Sequence, residues 1–375
     1  MALTGTYGIE ASRLRVDMSE KIAELEPDKS PLITLTKKMK RTRTVQNPEF
    51  DWLEQELGAR WDAINNAGGY LSTDTALVVD NGAYFRIGDL AKVPRTGETL
   101  LVTNVVTNTL TVTRSWGTVA AAALVDNDPV VIVGNLNAEG ATLRTILQKE
   151  PVKKTNYTQI IRTPVGATNT LQATKTYGPK PLSWYRHLGG IEHAVDMERT
   201  LIYGEKAKDQ SNSQNRRSTG GVLEFCTENI LDVSATTLTE QSFVEWLESV
   251  FMYGSKEKVL LACARLCTHI DLWSMGKLQT KPRDKTYGVA IKEYVSTHGV
   301  LYVTKHHLLE GTTYGGYGIV LDMDNVAYCP LEGRDTHLLT NRQANDEDAQ
   351  KDEYLSEFGA EIRLPKTHAI IKGVA

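Results

Sequence analysis

Cysteine is scarce. Four residues, Cys226, Cys263, Cys267 and Cys329, are spread over a chain of 375, too few for a disulfide framework, so they read as reduced, buried thiols. Long apolar runs are missing as well. The longest, Val119 to Val125, is far shorter than the roughly 20 residues that span a membrane. The first residues carry Glu10, Arg13, Arg15 and Asp17 with no apolar stretch of signal-peptide length, so a mature, cytosolic start is expected and no export. Excess charge of one sign is also lacking: 42 Lys and Arg face 46 Asp and Glu, a net charge of −4. No global positive field exists to hold nucleic acid by counterion release. With 29 Gly and 12 Pro and a composition 41% hydrophobic, neither wholesale disorder nor a fibrous repeat fits. A folded chain of about 2.5 domains is expected from its length.

The first 45 residues hold one short amphipathic helix. Asp17 and Glu20 read as its N-terminal cap, and Met18, Ile22 and Leu25 share a face before Pro27 and Pro31 end it. Leu32, Ile33 and Leu35 follow, then the basic run Lys37, Lys38, Lys40, Arg41 and Arg43. These apolar spots are too few for a core of their own, so the arm must borrow one. Fifteen extended residues at about 3.3 Å each could carry it across a neighbouring subunit.

From Ala76 to Gly134 the texture turns to short β-rich runs: Leu77 to Val79, Leu100 to Val106, Leu110 to Thr113 and Val130 to Val133, separated by turn residues. A small β-barrel is expected. The flanking segments, Thr44 to Leu57 and Thr155 to Thr176, are both polar, Thr-rich and extended, which suggests a long two-stranded excursion carrying the barrel as an insertion.

The longest helical pattern follows, with Trp184, Leu188, Ile191, Val195 and Ile202 as its apolar stripe, opened by Pro181 and stopped near Gly204. Gly189 and Gly190 inside it predict a bend or the close approach of another backbone. Glu205 to Gly221 reads as an exposed loop. Alternating helix and strand signals after it predict a compact α/β unit. The acidic segment Asp346 to Glu361, with Ile362, Leu364 and Ala369 to Ile371, closes the chain as β-strands. The class is α+β.

Candidate chemistry is thin. Cys263, Cys267 and His269 could offer zinc three ligands, but the spacing is not that of a C-x2-C knuckle and core thiols account for it better. His306 and His307 are adjacent, so on a strand they point to opposite faces; surface or edge histidines are expected. Asp322, Asp324 and Asn325 begin like a calcium loop, but Ala327 and Gly333 stand where its Gly and Glu belong. Ser218 to Gly221 could cradle a phosphate, yet the Walker pattern is absent and a flexible turn fits better. No Ser or Cys nucleophile stands in a recognisable elbow, so no enzyme, no cofactor and no metal are expected. The basic run from Lys37 to Arg43 either touches nucleic acid or pairs with acidic surface such as Asp346 to Glu361 on another copy; the second is favoured.

The order of parts is diagnostic. An arm from Glu20 to Lys40 carrying the phrase Glu26-Pro27-Asp28-Lys29-Ser30-Pro31-Leu32, a β excursion, a long helix, a loop, an α/β lobe and a returning β segment resembles the major capsid proteins of tailed bacteriophages, the Hong Kong 97 fold. It looks closest to the subfamily with a barrel inserted in the extended loop, where Phe85 to Asp89 and Leu110 to Arg114 would stand. Thr340 to Gln343 and Glu361 to Pro365 are similar too.

The resemblance implies an N-terminal arm at 1–45 and an extended loop at 46–176, with its barrel at about 72–137. It implies a peripheral domain at 177–222 and 331–375 with a spine helix at about 181–204, and an axial domain at 223–330. It implies a shell of hexamers and pentamers around double-stranded DNA held without sequence-specific contacts. A separate scaffolding protein, a portal protein and, as an optional addition, a decoration protein would be partners, with no membrane. The place of action would be the virion, after assembly in the host cytoplasm. Contacts between subunits are expected from Met18, Ile22, Leu25, Leu32, Ile33, Leu35, Phe50, Trp52 and Leu53, with Lys37, Lys38, Lys40, Arg41 and Arg43 at the subunit boundary. Removal of residues 1–35 is expected to leave a folded, soluble subunit that cannot form stable shells. A tail-tube or surface-layer subunit is the main rival reading, and a metal-dependent hydrolase a more distant one.

Overall fold

The computed structural model describes residues 31–140, 142, 150–176, 179–209, 215–234, 236–276 and 292–374. The amphipathic segment with Met18, Ile22 and Leu25 lies outside the described residues. Two compact units are present: one within 53–152, the other built from the described residues of 1–52 and 153–375.

The chain begins with α1 (Pro31–Lys38) and β1 (Glu49–Glu54), then enters the smaller unit with β2 (Trp61–Ala63), β3 (Ala76–Val78), β4 (Asp89–Lys92), β5 (Thr99–Val106), β6 (Thr109–Thr113) and β7 (Pro129–Asn135). These six form one antiparallel sheet in the order β2-β7-β4-β5-β6-β3. A bridge between Ile64 and Val79 joins its two outer strands. The period-2 alternation read from the sequence sends Leu100 and Val102, then Leu110 and Val112, to one side. There they meet Ile64, Leu77, Phe85, Ala91, Leu124 and Val130. The buried Glu98 carboxylate faces Arg114 at 2.8 Å. Burial works against its charge, but Arg114 and the amides of Ser115 and Ala122 outweigh that and hold the carboxyl below its ordinary range.

In the larger unit β8 (Val152–Tyr157) pairs with β1 and is followed at once by β9 (Gln159–Thr168) and the short α2 (Asn169–Ala173). This corrects the long two-stranded excursion. Only β8 returns along β1, whereas β9 pairs antiparallel with Ala349–Phe358 near the end of the chain, and Thr168 caps α2 by accepting from the Leu171 amide. The long helix α3 (Pro181–Tyr203) comes next. The exposed stretch behind it is a small hairpin, β10 (Ala207–Asp209) and β11 (Arg216–Ser218), where a plain loop is expected from the sequence.

The remaining elements are α4 (Val222–Phe225), β12 (Ile230–Asp232), α5 (Glu240–Val250), β13 (Glu257–Ala262), α6 (Ala264–Gly276), β14 (Lys292–Val295), β15 (Val300–Lys305), α7 (Gly311–Tyr314), β16 (Gly318–Leu321), β17 (Val326–Pro330), β18 (His337–Leu339), β19 (Ala349–Ile362) and β20 (Ala369–Lys372). A mixed sheet runs β12-β20-β16-β13-β15-β14. Its central strand β13 is parallel to β15 and antiparallel to β16. Buried on both faces, it reads as a nearly continuous apolar run. Lys258 interrupts that run. It is fully buried and its Nζ donates to the carbonyls of Val250, Tyr253 and Thr367 at 2.7, 2.9 and 2.6 Å. It thereby satisfies a last-turn carbonyl of α5, and burial pulls its ammonium down to about 8.

The second sheet of this unit is organised on β19. β9 lies along one edge, and β17 and β18 pair with it elsewhere along its length. Helix α3 packs on β9 and β19, but not by the stripe the spacing predicts. Leu182, Gly189, His193, Met197 and Leu201 are buried together with Ile202, the one member of the predicted stripe that is, while Trp184, Leu188, Ile191 and Val195 are only half-buried. The two glycines explain the rotation. A Cβ on Gly189 would collide with Val165 Cγ1, and one on Gly190 would sit 3.3 Å from Tyr354 Oη. The helix is therefore seated on its smallest face, approached by side chains of β9 and β19; another backbone, as expected from the sequence, is not what meets it.

Substitution at the two glycines should separate close packing from helix propensity. Alanine gains about 1 kcal/mol over glycine in a helix, but overpacking against a stiff β-branched neighbour costs about 1–3 kcal/mol. Gly189→Ala is expected to lower the urea unfolding midpoint and Gly190→Ala to leave it nearly unchanged. A rise with Gly189→Ala would contradict this seating of the helix.

Candidate functional site

The sequence places its candidate residues on the arm, and α1 is where the described arm begins. Pro31 opens the helix, so the amides of Leu32 and Ile33 have no partner within it. Both donate to the buried carboxylate of Glu198 on α3, at 2.7 Å to Oε1 and 3.0 Å to Oε2. The same Oε1 lies 2.9 Å from His306 Nε2. His306 Nδ1 accepts from the Leu308 amide at 3.2 Å, which leaves Nε2 carrying the proton and donating to Glu198. Leu32, Ile33 and Leu35 are 2, 8 and 2% exposed and belong to the main core.

Beyond the helix the chain runs beside β17 in parallel bridges, Thr42 with Tyr328 and Val45 with Leu331. Arg43 and Val45 donate their amides to the carbonyls of Tyr328 and Pro330. Phe50 and Trp52 close a small cluster with Val45 and Cys329, Trp52 lying 5.5 Å from the Phe225 ring. Burial drives the Cys329 thiol well above its ordinary range.

Leu32, Ile33, Leu35, Phe50 and Trp52 are thus taken up by their own chain, which corrects the expectation that these side chains are held for neighbours. The arm does borrow a core, and it is its own body's. A truncation through residue 35 would cut into that core. Leu53 remains 68% exposed.

The basic run behaves likewise. Arg43 reaches Glu361 at 2.6 Å, Arg41 pairs with Asp324, and Lys37 lies 3.6 Å from Asp335 and over the Tyr328 ring. Lys38 and Lys40 stay exposed. An acidic partner in Asp346–Glu361 was expected on another copy; for Arg43 it is found within the chain. The other acids of β19 are held in the same way. Asp352 accepts from Arg186 Nε at 2.7 Å and the Asn341 amide at 3.0 Å. Glu357 accepts from Arg334 at 2.6 Å and Thr158 at 3.0 Å.

The candidate chemistry resolves into packing. Cys263 is fully buried and its Sγ accepts from the Leu266 amide; Cys267 is half-buried, and the His269 ring lies 5.9 Å from that of Trp273. Among the described residues no three His, Cys, Asp or Glu are grouped to hold a metal. His306 is 1% exposed, contrary to the surface or edge position expected, because the chain turns into a 3-10 helix there and carries the imidazole inward to Glu198. Asp322 spends its carboxylate on the amides of Ser255 and Asp324 and on Asn325. The amides of Thr219 and Gly220 are used by Gln159 and by the buried Asn156, so the phosphate-cradle alternative loses its donors.

Two groupings carry no sequence signal. Ser356 Oγ lies 2.7 Å from His193 Nε2, and His193 Nδ1 lies 2.9 Å from Thr163 Oγ1. This resembles a nucleophile and base, but Ser356 and His193 are buried and Ser356 also bonds Thr336, so the chain of hydroxyls joins α3 to β9 and β19. The other grouping is exposed. Leu57, Trp61, Leu71, Ile87 and Val133 protrude from the smaller unit, with Leu57 97% exposed, and Met252, Tyr253 and Val295 from the larger. They are single exposed side chains and form no site of their own.

The chain matches the family described as SU10 major capsid protein over residues 2–375. It is similar to the major capsid protein of Pseudomonas phage PaMx41, 23% identical over 328 residues, which cover 80% of this chain and 78% of that relative. Among solved structures it is similar to that of Mycobacterium phage Cain, with a TM-score of 0.51 at 8% identity over 99% of this chain and 98% of that one. It is also similar to the capsid of a native GTA particle, with a TM-score of 0.51 at 9% identity over 99% and 98%. The likeness to these structures is one of fold.

The buried histidines give the larger unit a pH dependence with a definite sign. His368 accepts from the Asp322 amide at Nδ1 and donates from Nε2 to the Arg363 carbonyl; burial pulls its pKa down to about 4 and lowers that of His193 too. Between its ordinary value of 6.5 and about 4, the unfolded chain holds a proton on residue 368 that the folded chain lacks, so stability falls as pH falls through that window. Each such histidine contributes up to about 1.4 kcal/mol per pH unit. Denaturant titrations at pH 7, 6, 5 and 4 should show this slope, reduced in His368→Gln. An equal slope in that variant would remove His368 as its source.

Proposed function

Because the chain belongs to the SU10 major capsid protein family and is a phage major capsid protein, we propose that it builds the icosahedral head of a tailed phage as hexamers and pentamers enclosing double-stranded DNA. The observation that carries this reading is the family match across residues 2–375. The family is one of structural capsid proteins, which supports this reading over the tail-tube, surface-layer and hydrolase alternatives.

On this reading residues 1–45 are the arm, and the extended loop of 46–176 is shortened to the part that leaves along β1 and returns along β8, with the six-stranded unit as its inserted barrel and β9 in the body of the subunit. Residues 177–222 and 331–375 form the peripheral domain around α3 as the spine helix, and 223–330 the axial domain, with two exchanges across these bounds: β17 pairs with β19 of the first, and β20 pairs with β12 and β16 of the second. A separate scaffolding protein, a portal and, optionally, a decoration protein act with it, and assembly takes place in the host cytoplasm. DNA driven in by a motor needs no basic lining, which agrees with a net charge of −4. The physical mechanism is additive. Many small apolar contacts, each weak alone, become stable when a closed array repeats them. The side chains suited to that task are those the subunit leaves in water, Leu53, Leu57, Trp61 and Leu71 on the smaller unit and Met252, Tyr253 and Val295 on the larger.

Two expected outcomes test this. Leu57→Ser combined with Trp61→Ser should change subunit stability by only about 0.5 kcal/mol, as exposed substitutions do, yet reduce the yield of closed particles seen by negative-stain microscopy in the presence of the scaffolding protein. Removal of residues 1–30, which spares Leu32, Ile33 and Leu35, should leave the circular dichroism of the folded subunit and abolish stable shells. Normal shells from both variants would show that these parts are not what joins the subunits.

A further inference from the structure

Glu198 stands where three separate segments meet. It projects from α3, and its carboxylate is buried to 1% exposure. Two of its donors are the first amides of α1, and the third is the imidazole of His306, which follows β15. The arm and His306 share one oxygen, Oε1, whereas Oε2 takes the Ile33 amide. A buried carboxylate is tolerable only while its hydrogen bonds are filled. If α1 lifted away, the buried Glu198 carboxylate would keep only His306 of these three donors. The arrangement also suits the helix, because its N-terminal amides carry the positive end of its dipole.

We propose that Glu198 is the clasp of the arm and that His306 is a positioning residue acting through it, so that the seating of α1 is coupled to the segment after β15. Among the described residues, His306 makes no direct hydrogen bond to the arm. Its Nδ1 is fixed by the Leu308 amide, which aims Nε2–H at Glu198 and thereby orients the carboxylate toward Leu32 and Ile33. A shift of the 306–308 turn would turn the carboxylate and weaken the seat. The second attachment of the arm, the bridges of Thr42 and Val45 along β17, is independent of this network, so the clasp governs α1 and not the strand behind it.

Hydrogen exchange and brief trypsin treatment of the full-length subunit test the coupling. In Glu198→Ala, amide exchange across residues 32–39 and cleavage after Lys37 and Lys38 should quicken by about tenfold or more, the loss expected for hydrogen bonds to a charged acceptor. Exchange at 43–45 should stay as in the parent. Glu198→Gln, which keeps the shape and one good acceptor, should be intermediate and serves if the alanine variant does not fold. His306→Leu should quicken exchange in α1, and His306→Leu should add little on top of Glu198→Ala, as a coupled pair requires. Exchange in α1 unchanged by Glu198→Gln in a folded subunit would overturn the clasp. An effect of His306→Leu confined to residues 300–310, or one fully additive with Glu198→Ala, would overturn the coupling.

Discussion

Strand β19 is the constraint on which the larger unit depends. It runs from Ala349 to Ile362 and is buried over its second half, yet it carries Asp352, Glu357 and Glu361 at 1, 3 and 0% exposure. Carboxylates cannot be desolvated alone, so each must be met by a cation or a set of donors. The cations come from different parts of the chain: Arg186 from α3, Arg334 from the turn before β18, and Arg43 from the arm. β19 is therefore less a strand with salt bridges than a list of addresses. A segment that brings no arginine to its place leaves a buried charge unpaired, and the penalty for a misplaced arm or helix is correspondingly steep. The alternative, an apolar strand, would pack as well but would accept its neighbours in several registers.

The same logic recurs at each joint of the unit, with polar groups from distant segments completing one another inside apolar surroundings. Asn156 bonds the carbonyls of Gly220 and Ala360 and receives the Gly220 amide. Lys258 ties the end of α5 to Thr367. The hydroxyl chain through His193 joins α3 to both strands beneath it. These groups bond to partners more than a hundred residues away in several cases, which is how a chain interrupted by a separate unit at 53–152 can still fix the placement of what comes before and after.

Local chemistry was legible in the sequence and long-range pairing was not. The ends of α3 follow from Pro181 and Gly204, and the runs around Leu100 and Leu110 announce the strands of the smaller unit because alternation is a local property. The stripe that spacing predicts on α3 differs from the buried face for a physical reason. Trp184, Leu188, Ile191 and Val195 form the more apolar face, but Gly189 lets the helix come closer on the other side, and dispersion gained over a close contact exceeds that of larger groups held farther off. The partner of β9 could not be read at all, since nothing in a Thr-rich extended segment says which distant strand it will meet. His306 was invisible for the same reason: its burial is decided by Glu198, 108 residues earlier in the chain.

The fate of the arm changes how association must be understood. A segment whose apolar side chains had no place at home would drive assembly by its own need for burial. Here Leu32, Ile33 and Leu35 are already buried, so seating the described arm contributes to subunit stability and leaves association to be driven by other surface. What remains in water is dispersed, with single large side chains such as Leu53, Leu57 and Trp61 on the smaller unit and Met252 on the larger. Dispersed surface of that kind gives each pairwise contact little free energy. Association then becomes favourable only where geometry lets many such contacts form together, as in a closed array. The polar joints supply the complementary requirement. A subunit whose parts are held by filled buried hydrogen bonds presents its weak contacts in fixed relation within each unit, and only contacts so presented can add.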